Sequence, residues 1–267
     1  MKIGVYGGGF KPFTTGHFAK LANAIRDNDY VYLFYGIQEE KPPEYYLRGS
    51  KKGQPKVDKR LRKIGSEGKL YTPTMSREIF NIYEQAIERE FPSVEVELTI
   101  GSSPINRILD VASEFAENPD MYERMTVYGD SDTFRSYVNR HRQYFGDLLG
   151  SKILLGPIPP ESPSDYVDEE KFEEIVRGSE SGATDSLSTY YGSLSRDHLE
   201  RLKSVRGTEV RDFASTREGI EKAKLFLPPF LNSDEKERVV RLMLGDDSSG
   251  TTNENSSKYM IQGFIRG

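Results

Sequence analysis

The chain of 267 residues contains no cysteine, so disulfides and thiolate metal sites are excluded. Histidine is almost as scarce: His17, His141 and His198 are the only three, too few for a His-based structural zinc site. No run of about 18 apolar residues exists, so no membrane-spanning helix is expected. The N-terminus enters an apolar strand at once and carries no signal-peptide pattern, so a cytoplasmic location is expected. Basic excess is also lacking. A net charge of −5 argues against nucleic acid as the main partner, although a local patch could still contact it. With 30% charged and 36% hydrophobic residues, the composition fits a globular protein with some exposed segments. The length allows one large domain or one domain with an appendage.

The most informative stretch is Gly7-Gly8-Gly9-Phe10-Lys11-Pro12-Phe13-Thr14-Thr15-Gly16-His17-Phe18, directly after the apolar run Ile3-Gly4-Val5-Tyr6. It reads as a strand, a glycine turn and the start of a helix. Backbone N–H groups at a helix start point outward and attract anions. Glycines let that backbone approach a ligand closely. Lys11 adds a full charge, and His17 sits in the first helical turn, where its ring can donate to a phosphate oxygen. A dinucleotide-binding turn is the rival reading, and it fails. Pro12 stands where the third glycine of G-x-G-x-x-G belongs, and the second strand runs into Gly36 rather than an acidic residue. No Gly-Lys-Ser/Thr closes a P-loop either.

Strand-like runs fall at about 2–6, 30–36, 94–100, 125–129 and 152–155, with helical patterns at roughly 16–27, 75–91, 104–117 and 132–148. This alternation predicts an α/β fold: a doubly wound, five-stranded parallel Rossmann-like sheet with loop insertions and a small helical C-terminal appendage. Ligands in such sheets bind at the carboxyl ends of the strands, where the winding reverses. Segment 37–73 reads as one insertion. Between Arg48 and Lys63 it holds eight basic residues against one acid, Asp58. It reads as a solvated loop, a lid over a triphosphate, or a nucleic-acid contact. Segment 156–195 is a second, proline-containing and acidic insertion, with a short helix over 171–177. Residues 245–257 look disordered, and 258–265 is apolar and strand-like, which allows docking or a homo-oligomer.

Thr14-Thr15-Gly16-His17 resembles the (H/T)-x-G-H signature of the cytidylyltransferase-like nucleotidyltransferases, which include nicotinamide mononucleotide and phosphopantetheine adenylyltransferases. Ser204-Val205-Arg206-Gly207-Thr208-Glu209-Val210-Arg211 resembles that family's second signature, S-G-T-x-x-R. Arg206 departs from it by standing in place of the serine. The wording Gly-Gly-Phe-Lys-Pro is most similar to poorly characterised members of the family, several of them encoded by large phages; a phage-encoded protein would lie in host cytoplasm. The resemblance implies a nucleotidyltransferase domain over 1–230, with a C-terminal helix and flexible tail over 231–267.

The resemblance implies a reaction as well: transfer of a nucleoside monophosphate, AMP from ATP ahead of CMP from CTP, to a phosphorylated small molecule, with pyrophosphate released. His17, Lys11 and Arg211 would be catalytic. Gly9, Phe10, Thr14, Gly16, His17, Gly207, Thr208 and Arg211 would bind nucleotide, with Thr14 supplying a hydroxyl donor and an N-cap. Lys11, Arg77, Asp130 and Asp132 would bind the acceptor. Mg²⁺ would arrive with the triphosphate, held by phosphate oxygens and water, so no protein metal ligand is expected. A catalytically silent nucleotide-sensing module is the non-enzyme alternative. A class I aminoacyl-tRNA synthetase relative is a further one, though no Lys-Met-Ser-Lys-like loop is present.

Overall fold

A computed structural model describes residues 1–42, 44–56, 58, 61–65, 69–118, 122–129, 152–155 and 206–245. The expected helix over 132–148, the insertion 156–195, the tail from 246 onward, Asp130 and Asp132 lie outside these residues. The described elements run β1 (Lys2–Gly8), α1 (Thr15–Asp27), β2 (Tyr30–Ile37), β3 (Arg62–Ile64), β4 (Lys69–Tyr71), α2 (Pro73–Glu90), β5 (Val94–Ile100), α3 (Pro104–Glu117), β6 (Arg124–Tyr128), β7 (Ile153–Leu155), α4 (Gly207–Phe213), α5 (Ile220–Leu225) and α6 (Ser233–Leu244).

Five strands form one sheet in the order β5-β2-β1-β6-β7. Every neighbouring pair is parallel. The chain winds outward from β1 to β2 to β5, then crosses back to β6 on the other side of β1. The winding therefore reverses between β1 and β6, and the glycine turn leaves β1 at that point.

Both faces of the sheet are covered, which is why its strands read as nearly continuous apolar runs. On β2, Val31, Leu33, Tyr35 and Ile37 face a large core built with α1 and α2. Phe34 faces a second core with Ile108, Ala112 and Phe115 of α3. The fold is thus an α/β doubly wound parallel sheet. Helices α4 and α6 join the larger core through Val210, Val239 and Met243, and the connection from α5 to α6 through Phe226, Leu227 and Phe230.

Local chemistry sets the helix ends. Thr72 and Ser103 cap α2 and α3, and each helix opens on a proline, whose missing N–H costs nothing there. Asn232 and Glu235 exchange backbone-to-side-chain hydrogen bonds of 2.8 and 2.9 Å at the start of α6. Gly245 ends α6 in the left-handed conformation, and its N–H reaches the Arg241 carbonyl at 2.8 Å.

The β3–β4 hairpin was not foreseen within segment 37–73. Only Ile64 and Tyr71 of its six residues are buried, so its alternating pattern is too short to register. Part of the basic insertion is therefore ordered against the core.

Candidate nucleotide site

The turn after β1 is shaped by aromatic packing. The Phe10 ring folds back over Gly8, where an added Cβ would lie 2.6 Å from it. Phe10 makes edge contacts with Tyr6, Phe13, Tyr35 and His17 at centroid distances of 4.7 to 5.3 Å. Two buried tyrosines then fix the turn's backbone. Tyr35 Oη donates to the Phe10 carbonyl at 2.8 Å, and Tyr83 Oη donates to the Phe13 carbonyl at 2.9 Å. Burial pushes both phenols well above their ordinary pKa, so both remain neutral donors.

The sequence reading missed these two residues. Their only signal is a tyrosine on the core-facing stripe of β2 and of α2, where phenylalanine would satisfy packing alone. Tyr35→Phe and Tyr83→Phe should each destabilise the fold by about 1–2 kcal/mol, since each leaves a buried carbonyl unpaired. Urea unfolding midpoints check this, with unchanged m-values expected.

His17 is held in one orientation. Its Nδ1 accepts the Thr14 backbone N–H at 2.9 Å, and the Thr14 hydroxyl lies 2.9 Å from the same nitrogen. An accepting Nδ1 puts the ring proton of neutral His17 on Nε2. The rings of Phe10 and Phe13 flank the imidazole at 5.0 and 5.4 Å. Thr14 is fully buried, so its hydroxyl acts on the His17 ring rather than at an open surface. The sequence reading treated the helix-start N–H groups as open to an anion. Two of them are engaged: that of Thr14 by His17, and that of Thr15 by the Phe226 carbonyl at 3.0 Å.

The second motif meets the first. Gly207 opens α4 against the turn so closely that an added Cβ would lie 2.6 Å from the Lys11 carbonyl oxygen. Arg211, one turn on, is only 5% exposed. Its guanidinium donates to the Lys11 carbonyl, to the Lys63 carbonyl at 3.0 Å and to Thr208 Oγ1 at 3.1 Å. It ties the glycine turn, β3 and α4 together. The sequence reading gave Arg211 a phosphate clamp; the structure gives it three partners within the protein.

Lys11 is half-buried. Burial, then the positive charges of Arg62 and Arg211, holds its ammonium below the usual lysine pKa. Burial lowers Arg211 too, with Tyr71 and Asp212 opposing and Arg62 adding. Three cations from three separate segments therefore crowd one spot, an arrangement that an anion would relieve.

A cavity of about 280 Å³ opens at the carboxyl end of β1. Tyr6, Gly7, Gly8, Gly9, Phe10, His17 and Lys20 line one side, and Ser103, Pro104, Ile105 and Gly129 the other. The structure thus brings together Gly9, Phe10 and His17. It adds Lys20, which the sequence reading missed although it lies three residues past His17 on the same helical face. Lys11, Thr14, Gly16, Gly207, Thr208 and Arg211 do not line this cavity; most of them form the layer behind the turn. Arg77 stands exposed on α2, away from the lining.

The chain is similar to two proteins of known structure. One is a bifunctional NMN adenylyltransferase/ADP ribose pyrophosphatase from Francisella tularensis, at 12% identity and a TM-score of 0.33, with 80% of this chain and 53% of that one covered. The chain spans about half the length of that protein. The other is NadR protein in complex with NAD and AMP-PNP, at 13% identity and a TM-score of 0.32, covering 92% and 78%. Neither a family model nor a curated protein sequence matches the chain.

Among the described residues, no cluster of three or more histidine, aspartate or glutamate side chains is placed to hold a metal ion. Nor is any of their helices long and apolar enough to cross a membrane.

Proposed function

We propose that the protein transfers a nucleoside monophosphate, AMP from ATP, to a phosphorylated small molecule and releases pyrophosphate. The observation that carries this reading is the meeting of two distant motifs. Gly207 packs on Lys11, Arg211 donates to the Lys11 carbonyl, and the Lys11 ammonium shares their cationic cluster with Arg62. Chains without a polyphosphate ligand have little reason to gather three cations behind a glycine turn.

In this reading an acceptor phosphate oxygen bonds to the α-phosphorus. The bond from that phosphorus to the α–β bridging oxygen breaks, and its electron pair leaves with pyrophosphate. His17 Nε2–H donates to an α-phosphate oxygen as charge builds there. Lys20, on the same cavity wall, and Lys11, behind the turn, balance the remaining charge. Preorganised donors of this kind supply most of the rate in phosphoryl chemistry. Mg²⁺ enters as part of the substrate, carried on phosphate oxygens and water, and offsets triphosphate charge.

The test is pyrophosphate release with Mg²⁺, crossing ATP and CTP against a panel of phosphorylated acceptors. Release with one pair, absent in His17→Ala, supports the reading and fixes the nucleotide. Stabilisation by ATP without release from any pair would favour a nucleotide sensor instead.

Triphosphate affinity should also depend on pH. Lys11 has a lowered pKa in the free protein, and a bound polyanion raises it again, so binding takes up a proton. Above about pH 8 the triphosphate is fully ionised, its last pKa being near 6. Affinity should then fall as pH climbs through the lowered Lys11 value toward that of ordinary lysine. Calorimetric titration of ATP across this range checks the slope, which Lys11→Met should flatten.

A further inference from the structure

We propose that residues 44–56 form a tongue that binds single-stranded nucleic acid. Segment 44–56 doubles back on itself. Tyr45 bridges Pro55 in antiparallel fashion, Tyr46 N–H donates to the Gln54 carbonyl at 3.0 Å, and Gly53 N–H donates to the Tyr46 carbonyl at 2.9 Å. Gly49 and Gly53 turn the tip, both at φ +81°, a conformation that favours glycine.

The tongue displays what a folded protein usually hides. Tyr45 is 50% exposed, Tyr46 37% and Leu47 80%. Beside them stand Arg48, Lys51 and Lys52, while Lys56 pairs with the segment's single acid, Glu44, at 3.2 Å, in a chain whose net charge is −5. Lys51 Nζ sits 5.9 Å from the centre of the Tyr46 ring. Two adjacent exposed rings on one arm, followed by Arg48 and by two lysines at the tip, offer faces for bases to stack on beside cations for the backbone phosphates.

The layout disfavours a bilayer as partner. A membrane wedge carries its apolar side chains at the tip, whereas this tip is Gly49-Ser50-Lys51-Lys52-Gly53 and the rings lie along one arm. The position also matters. The tongue leaves β2 past Gln38, Glu39 and Lys41, which line a hollow of about 300 Å³ with Gly101–Ser103. It returns toward β3, whose Arg62 faces Lys11 and Arg211. Both ends of the tongue therefore join segments beside the glycine turn. The inference does not rest on the proposed transferase reaction.

The test is fluorescence anisotropy of a labelled homothymidine oligomer of about 12 nucleotides, within the usual span of such sites. The full chain should bind it with a log–log salt slope of about −2, from Arg48, Lys51 and Lys52 at about 0.7 each. Tyr45→Ala/Tyr46→Ala should weaken binding about tenfold or more, because stacking is lost. Its melting temperature should match the parent, since both rings are exposed. Lys51→Gln/Lys52→Gln should flatten the slope. His17→Ala should bind the oligomer like the parent. Four results would overturn the proposal. These are no binding, unchanged affinity in the tyrosine variant (charge attraction alone), loss in His17→Ala (the oligomer occupying the cavity), or binding to phosphatidylserine vesicles in place of the oligomer.

Discussion

Replacing His17 with alanine is expected to lower pyrophosphate release by about 10²–10³-fold, the usual cost of losing one preorganised donor. The loss should fall on kcat. In the proposed reaction Nε2–H meets charge that exists mainly in the transition state, so the ground-state affinity for ATP should change little. The variant should remain folded. It frees the Thr14 N–H at the start of α1, a capping loss of about 1 kcal/mol. Single-turnover kinetics beside an ATP thermal-shift titration separates the two quantities. A variant that loses ATP binding along with turnover would mark His17 as a ground-state ligand. One that loses neither would remove it from the chemistry.

Arg211→Met should have the larger effect on the fold. Methionine fills much of the space but leaves the carbonyls of Lys11 and Lys63 and the Thr208 hydroxyl without their donor. Each orphaned group costs about 1–3 kcal/mol, so a total of about 3 kcal/mol or more is expected. Arg211→Lys should not rescue it, because a single ammonium on a flexible stem cannot reproduce the planar fork. Denaturant unfolding measures the stability loss. Limited proteolysis should show cleavage near β3 in the variant first, because the arginine is what fastens Lys63 to the turn. Equal stability of parent and variant would show that the three bonds contribute nothing.

The sheet was legible because its strands are covered on both faces. Ile3-Gly4-Val5-Tyr6 and Tyr30 to Tyr35 read as apolar runs for that reason, and their alternation with helical patterns gave the winding. The glycine turn between β1 and α1 was legible because its glycines, and the apolar strand before them, carry local meaning. Three things were not. The β3–β4 hairpin hides because two buried side chains in six residues make no pattern. The tyrosine supports hide because Tyr35 and Tyr83 look like ordinary core residues; the hydroxyl matters only once the Phe10 and Phe13 carbonyls are in place. The bonds of Arg211 within the protein hide because a motif spacing says which residues gather, not which way a guanidinium turns. Two of its three partners are the backbone carbonyls of residues 148 and 200 positions away, and no local rule reaches that far.

The bond from Thr15 N–H to the Phe226 carbonyl, with Gly207 seated on Lys11, has a consequence for biosynthesis. Lys11 leaves the ribosome 200 residues before Arg211, so the glycine turn is made long before the layer that braces it. At about 5–20 residues per second, translation leaves that turn without its support for about ten seconds or more. Through that interval Phe13 and Phe18 lack Phe230, which packs 6.2 and 5.5 Å from them in the finished core. The nascent chain thus exposes an aromatic surface, of the kind a holding chaperone recognises, until the segment carrying Phe230 has been made.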